Sequence, residues 1–179
     1  MATSYTHAIV GAGLVQLYRP GRHRVVYWSI AALLAVIPDI DALSSASYGA
    51  MLGHRGYTHS IVFALWIAFF AATLTYRLLQ ANLWKLTGAY FLAAASHGLL
   101  DALTYGGMPI PFFWPATNDR FGNWGPIPVA DISWEIPSPW RSRALRSEMI
   151  WVWIPTVVFV IVLAVFRSCR RCSGNRHAA

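Results

Sequence analysis

Charge is scarce in this sequence of 179 residues, of which 12% are charged and 56% are hydrophobic. Soluble domains carry about a quarter charged residues, so the composition argues against an ordinary soluble protein. Cysteine is also scarce: the two in the chain, Cys169 and Cys172, provide no disulfide framework. They form a lone CxxC, which is a weak zinc or redox signal. We favour a basic cytoplasmic tail there, open to lipidation beside the membrane.

Long apolar stretches dominate the chain instead. Four of them approach or exceed the roughly 20 residues that cross the hydrocarbon of a bilayer, and a shorter one precedes them. No lysine or arginine comes before the first, which argues against a cleaved signal peptide. We predict an all-α, polytopic membrane helical bundle in a single integral membrane domain, 1–179. Its five hydrophobic segments are 5–17, 25–43, 60–79, 83–104 and 149–166.

Basic residues are unevenly divided between the two sides that this topology defines. Nine of the fourteen lie in the short segments 18–24, 77–85 and 167–179. The positive-inside rule assigns these segments to the cytoplasm, which leaves the N-terminus outside and the C-terminal tail inside. The net charge of +7 does not indicate nucleic acid, because the basic residues are scattered at segment ends rather than gathered in a stripe.

Acidic residues are absent from the side assigned to the cytoplasm. All seven lie on the outer side, together with four of the six histidines. Several of these groups open or close an apolar segment, where a charge is expensive and is usually functional. Convergence of such groups on one face predicts a metal site. The candidate ligands are His7, Asp39, Asp41, His54, His59, His97 and Asp101.

The spacing of these residues suggests how helix ends would present them. Pro38 disturbs the helix before Asp39, so that freed carbonyl groups and carboxylates can face a pocket. His97 and Asp101 are four residues apart and therefore share one helical face.

The two histidines of the HRGYTHS stretch, residues 54–60, are five residues apart and do not share a helical face. We expect Gly56 to provide a turn between them and Thr58 to cap the helix that follows.

Imidazole and carboxylate ligands together suit one or two divalent ions, with zinc preferred over manganese or iron. Asp39 and Asp101 are the candidate catalytic acids, since an uncoordinated carboxylate can shuttle a proton. Arg55 is either a clamp for an anionic substrate group or a charge facing lipid headgroups. Simpler roles stay open for His7, as an interfacial histidine, and for Asp39 and Asp41, as groups that cap a helix end.

The segment 105–148 is rich in proline and aromatic residues, too long for a simple connector and too aromatic for a disordered linker. We predict an outer lid at headgroup level between the fourth and fifth segments. The domain then divides into a core 5–105, this lid, a last span 149–166 and the tail 167–179.

Several motifs in this order resemble one known family. They are His7, PDID at 38–41, HRGYTHS at 54–60, His97 with Asp101 followed by Leu103 and Thr104, and FWP at 113–115. Over residues 5–115 the chain resembles the YdjM-like family, which comprises bacterial inner-membrane proteins described as metal-dependent hydrolases, some of them under SOS control. The resemblance implies a metal site formed by His7, Asp39 or Asp41, His54, His59, His97 and Asp101.

The sequence thus predicts a metal-dependent hydrolase whose site opens at the outer face of the bacterial inner membrane. A site at that depth suits an ester or phosphoester of a lipid-like substrate, with membrane lipid as its partner. A transporter of metal ions or protons is the first alternative, although transport sites usually lie near the bilayer midplane. A non-catalytic scaffold with a closed metal site is the second. The sequence sets no oligomeric state.

Overall fold

The computed structural model describes residues 2–44, 46–47, 49–105, 107–125, 127–128 and 145–176, with side chains described up to residue 170. Residues 129–144 of the predicted lid and the Cys172 side chain lie outside the described residues. The all-α prediction is confirmed, because helices dominate and the strands are two residues long. Among the described residues, the longer α-helices are α1 (Ser4–Leu14), α2 (Arg24–Leu34), α3 (Ile61–Thr75), α4 (Leu83–Leu103) and α5 (Ile154–Arg176).

Short helical turns adjoin four of these helices. The 3-10 helices Val15–Leu17 and Ile37–Leu43 follow α1 and α2, and a third, Tyr57–His59, precedes α3. A π-helical turn, Met149–Trp153, leads into α5. The predicted disturbance at Pro38 is confirmed, since it lies at the start of Ile37–Leu43, which is bent by 44° from α2.

Side-chain caps fix where α3 and α4 begin. Ser60 Oγ accepts a hydrogen bond from Phe63 N, and Asn82 Oδ1 accepts one from Lys85 N. The prediction that Thr58 caps α3 is wrong. Its hydroxyl is turned away from the helix, towards Asp41.

Small side chains let the helices of the core approach closely. The main cluster contains seven buried alanines from α2, α3 and α4, around the fully buried rings of Tyr27 and Tyr90. The hydroxyl of Tyr27 donates to Val15 O at 2.9 Å, which ties α2 to the end of α1. A smaller cluster of Val10, Leu100 and Val152 joins α1, α4 and the last helix.

The described part of the loop after α4 folds back over the end of that helix. Strand β1 (Thr104–Tyr105) pairs in parallel with β2 (Ile127–Pro128). Ile110 and Phe121 form an antiparallel bridge, and Ile61 N at the start of α3 donates to Phe112 O at 3.0 Å. The loop therefore lies against the ends of α3 and α4, where the candidate ligands are.

Apolar surface is abundant on the last helix. In the part of the chain that the structure describes, Leu145–Arg170 is long and apolar enough by itself to cross a membrane. The bent pair Arg24–Leu34 and Ile37–Leu43 would count as a second span if it forms one broken span. Helix α3 is apolar but shorter, and the count of five spans stays a prediction.

Candidate metal centre

The structure gathers all seven predicted ligands at one end of the bundle. Their side-chain nitrogen and oxygen atoms form three overlapping groups, and within each group the atoms lie within 4.8 Å of one another. Asp39, His59 and His97 each belong to two of the groups. The groups are Asp39, Asp41, His54 and His59; His7, Asp39 and His97; and His59, His97 and Asp101.

The broken end of α2 orients His97. Its Nδ1 donates a hydrogen bond to Ala35 O at 2.8 Å, a carbonyl at the end of α2. The prediction that this break frees carbonyl groups for the pocket is therefore confirmed. Because the proton sits on Nδ1, the Nε2 atom of neutral His97 is left as an acceptor, which is the tautomer that metal ligation requires.

A second group of side chains orients His59 from the opposite side. Its Nδ1 donates to Thr58 Oγ1 at 3.1 Å, while the Thr58 hydroxyl donates to Asp41 Oδ2. His54 Nδ1 donates to the other oxygen of Asp41 at 2.7 Å. We call Asp41, His54 and Thr58 the outer set. Their contacts direct Nε2 of His59 towards the centre of the cluster.

Four side chains point into that centre, and we call them the inner set: Asp39, His59, His97 and Asp101. The two Nε2 atoms of His59 and His97 are 3.2 Å apart, and Asp39 Oδ1 lies 3.3 Å from His97 Nε2 and 3.8 Å from His59 Nε2. Asp101 Oδ2 lies 3.7 Å from His59 Nε2.

These spacings fit a tetrahedral ion. Zinc bonded at about 2.0–2.2 Å to nitrogen and oxygen holds its ligand atoms about 3.3–3.6 Å apart. The four separations given above, 3.2–3.8 Å, span that range. The residues present therefore fit a divalent metal.

Buried polar atoms without partners support the same conclusion. Both oxygens of Asp39 and both of Asp101 are buried and have no hydrogen-bond partner. Such atoms are costly to leave unsatisfied, and a cation held between the two carboxylates would satisfy them.

The imidazole of His59 lies in a turn outside the long helices and carries a proton in the absence of metal. Burial would lower its pKa, but the nearby carboxylates of Asp39, Asp41 and Asp101 raise it to about 9. The proton accounts for the approach of the two Nε2 atoms, because His59 can then donate to His97. A metal ion bound by His59 would have to displace it.

Arg55 is buried rather than exposed to headgroups, with 1% of its surface accessible. Its Nη2 lies 3.2 Å from Asp101 Oδ2, and its Nη1 donates to Met108 O. The residue adopts a left-handed backbone conformation, φ 65°. A Cβ at Gly107 would lie 2.8 Å from the guanidinium carbon, so glycine is needed there. Of the two roles predicted for Arg55, the headgroup-facing charge is wrong.

Gly56 has a different function from the predicted turn. Its φ of −86° lies outside the left-handed region, and the left-handed residue in this loop is its neighbour Arg55. A Cβ at Gly56 would instead lie 2.7 Å from Gly53 O and 2.8 Å from Ala50 O. Glycine is required because the chain packs tightly on itself.

Two residues near the site have roles that the sequence did not suggest. The guanidinium of Arg120 donates to the carbonyl oxygens of Gly49, Arg55 and Pro109, and so holds the loop that carries Arg55. Glu148 is fully buried beside the start of α1, outside the cluster. No local pattern marks either residue, because their partners are distant in sequence.

A narrow apolar crevice reaches the cluster beside His59. Its walls come from the start of α3, from α4 and from the loop after α4. They are mostly small or apolar, with polar groups only at Thr58, His59 and Ser60. The apolar lining consists of Pro38, Ile61, Ala64, Ala94, Ala95, Gly98 and Phe112.

The helices and the buried His/Asp cluster define the class: a helical membrane protein with a candidate metal centre at the helix ends. The chain matches the family described as YdjM inner membrane protein over residues 1–170, and it belongs to that family. The resemblance seen in the sequence is thus confirmed. One relative is the inner membrane protein YbcI of Escherichia coli (strain K12), 34% identical over 172 residues, or 91% of this chain and 97% of the relative. No solved structure matches the chain. These matches support an inner-membrane location.

Proposed function

We propose that this protein is a membrane-embedded, metal-dependent hydrolase that acts on an ester or phosphoester of a lipid-like substrate. One observation carries the proposal: the inner set presents two imidazole nitrogens and two carboxylates, buried and without hydrogen-bond partners for the carboxylate oxygens. A divalent metal, with zinc our first choice, would be held by Asp39, His59, His97 and Asp101. When bound, it supplies Lewis acidity that polarises a carbonyl or phosphoryl oxygen and favours ionisation of water.

The residues around the metal would have separate roles in orienting a ligand, binding substrate and accepting a proton. Asp41, hydrogen-bonded to His54 and Thr58, keeps the His59 ring oriented. Arg55 pairs with Asp101, and its buried Nε has no partner, which leaves a donor for an anionic substrate oxygen. Asp39 is the less buried of the two inner carboxylates, with 9% of its side chain accessible, and is our choice for the ligand that would give up its position to water and accept the proton.

The crevice beside His59 supports a lipid-like substrate over a soluble metabolite. Its walls are formed mainly by small and apolar side chains. It suits an alkyl portion, with the polar group directed at the inner set. We propose that the site opens on the outer face, with the N-terminus outside, under the lid 105–148.

The test is hydrolysis by the purified full chain in detergent, loaded with zinc or manganese. Suitable probes are p-nitrophenyl butyrate, p-nitrophenyl octanoate, bis-p-nitrophenyl phosphate and a fluorogenic phospholipid. We expect turnover of at least one probe, preference for the longer-chain ester over the shorter one if esters are cleaved, and loss of turnover in Asp39→Asn.

Asp119→Asn is the matched control. Asp119 is an exposed loop acid that accepts a hydrogen bond from Thr117, so this variant should keep full activity. Equal turnover by Asp39→Asn and Asp119→Asn would contradict the proposed site. Metal uptake by sealed proteoliposomes, with no probe cleaved, would favour the transporter instead.

A further inference from the structure

His7 is the one predicted ligand that neither the inner set nor the outer set uses. It lies on α1 and is fully buried, and neither of its ring nitrogens has a hydrogen-bond partner. Burying an imidazole with both nitrogens unsatisfied is unfavourable, so the site is expected to offer it a ligand.

The groups nearest to His7 are metal ligands by type. Its Nε2 lies 3.5 Å from Asp101 Oδ1, and a ring nitrogen of His7 is within 4.8 Å of ligand atoms of Asp39 and His97. Arg55 pairs with the other oxygen of Asp101. Nothing among these neighbours donates a hydrogen bond to His7.

The two carboxylate oxygens of Asp101 face different neighbours. Oδ2 points to His59 and Arg55, at 3.7 Å and 3.2 Å, whereas Oδ1 points to His7. Both oxygens lack hydrogen-bond partners. A carboxylate placed in this way can give one oxygen to each of two ions.

The ring of His7 is stacked on the ring of His97, with centroids 3.9 Å apart and planes inclined by 22°. Hydrolytic sites with two metals hold the ions about 3.5–4 Å apart. Two nearly parallel imidazoles at this separation can present one nitrogen each to two ions at that spacing.

We infer that the cluster holds two divalent ions: one on the inner set, and a second at His7 that shares Asp101 and Asp39 with the first. The inner set and His7 together offer five donor residues, one more than the four that a tetrahedral zinc site uses, which agrees with a second position. The inference rests on the proposed metal centre and adds the count of ions and the role of His7.

The test measures metal per chain by mass spectrometry in the purified full chain, after zinc loading and removal of free metal. We expect two ions in the wild type and one in His7→Ala. His23→Ala is the matched control, because His23 is exposed at the start of α2, and it should keep two. Retention of two ions in His7→Ala would overturn the inference.

Manganese loading gives a second readout that needs no variant. Two neighbouring Mn²⁺ ions give an exchange-coupled electron paramagnetic resonance spectrum, and a single ion gives an uncoupled one. If His7→Ala does not fold, this spectrum decides for the wild type. A single uncoupled ion would overturn the second position and leave the proposed hydrolase standing, whereas absence of bound metal would overturn both.

Discussion

The buried carboxylate of Glu148 differs from the carboxylates of Asp39 and Asp101 in the groups that it contacts. Glu148 is fully buried but saturated: Thr3 N, Thr3 Oγ1 and Thr6 Oγ1 donate to it at 2.8, 2.6 and 2.5 Å. Asp101 is as deeply buried and both oxygens of Asp39 are buried, yet none of these oxygens has a hydrogen-bond partner. Hydrogen bonds within the protein satisfy the carboxylate of Glu148, whereas the carboxylates of Asp39 and Asp101 are left to bind a ligand. Glu148 therefore stabilises the fold, and the two aspartates are the functional candidates.

The surroundings of Glu148 explain its role. Thr3 caps α1, and Trp153 Nε1 donates to Thr6 Oγ1 at 2.7 Å, so the network joins the start of α1 to the last helix. A carboxylate at a helix N-terminus is also favoured by the helix dipole. The network fixes the helix that carries His7.

The largest expected effect is on metal binding by Asp39→Asn. Loss of an inner-set carboxylate should weaken zinc affinity by about 1,000-fold, or roughly 4 kcal/mol. The metal-free variant should unfold at nearly the wild-type denaturant concentration, because no hydrogen bond is lost. Competition with a zinc chelator and denaturant titration measure the two quantities. Unchanged zinc affinity would contradict the distinction between Glu148 and the two aspartates.

Glu148→Ala should show the reverse pattern. It leaves three buried donors unsatisfied and should lower the free energy of unfolding by about 3 kcal/mol. Zinc affinity per folded molecule should stay close to wild type, since Glu148 contacts no inner-set residue. Denaturant titration in detergent and chelator competition test this. A variant that is stable but metal-free would place Glu148 in the site.

Asp41→Asn should have an intermediate effect, because Asp41 acts through His59. Loss of such orienting groups typically costs about 10–100-fold in metal affinity. The variant should still bind its full complement of zinc at high concentration. Failure to bind at any concentration would make Asp41 a direct ligand.

Ser60→Ala should have the smallest effect, although Ser60 adjoins His59. Its hydroxyl caps α3, and loss of such a cap costs about 1 kcal/mol of stability. Zinc affinity should not change. Loss of metal in this variant would mean that Ser60 contributes to the site as well as to the helix.

The sequence predicted which residues gather at the site better than it predicted the role of each residue there. Apolar segments located the helices, Pro38 marked the break after α2, and the four-residue spacing put His97 and Asp101 on one face. Whether a side chain faces the centre or supports a neighbour depends on tertiary orientation. Asp41 is turned to Thr58 and His54, and Arg55 is folded onto Asp101, through contacts between residues 13 to 46 positions apart. The spacing of these residues in the sequence does not predict these contacts.

The most direct test of the central claim is the metal content of the full chain purified in detergent, compared between Asp101→Asn and Asp119→Asn. We predict stoichiometric divalent metal in the wild type and in Asp119→Asn, and loss of metal in Asp101→Asn. Wild-type protein that binds no divalent metal, or equal content in the two variants, would contradict the account.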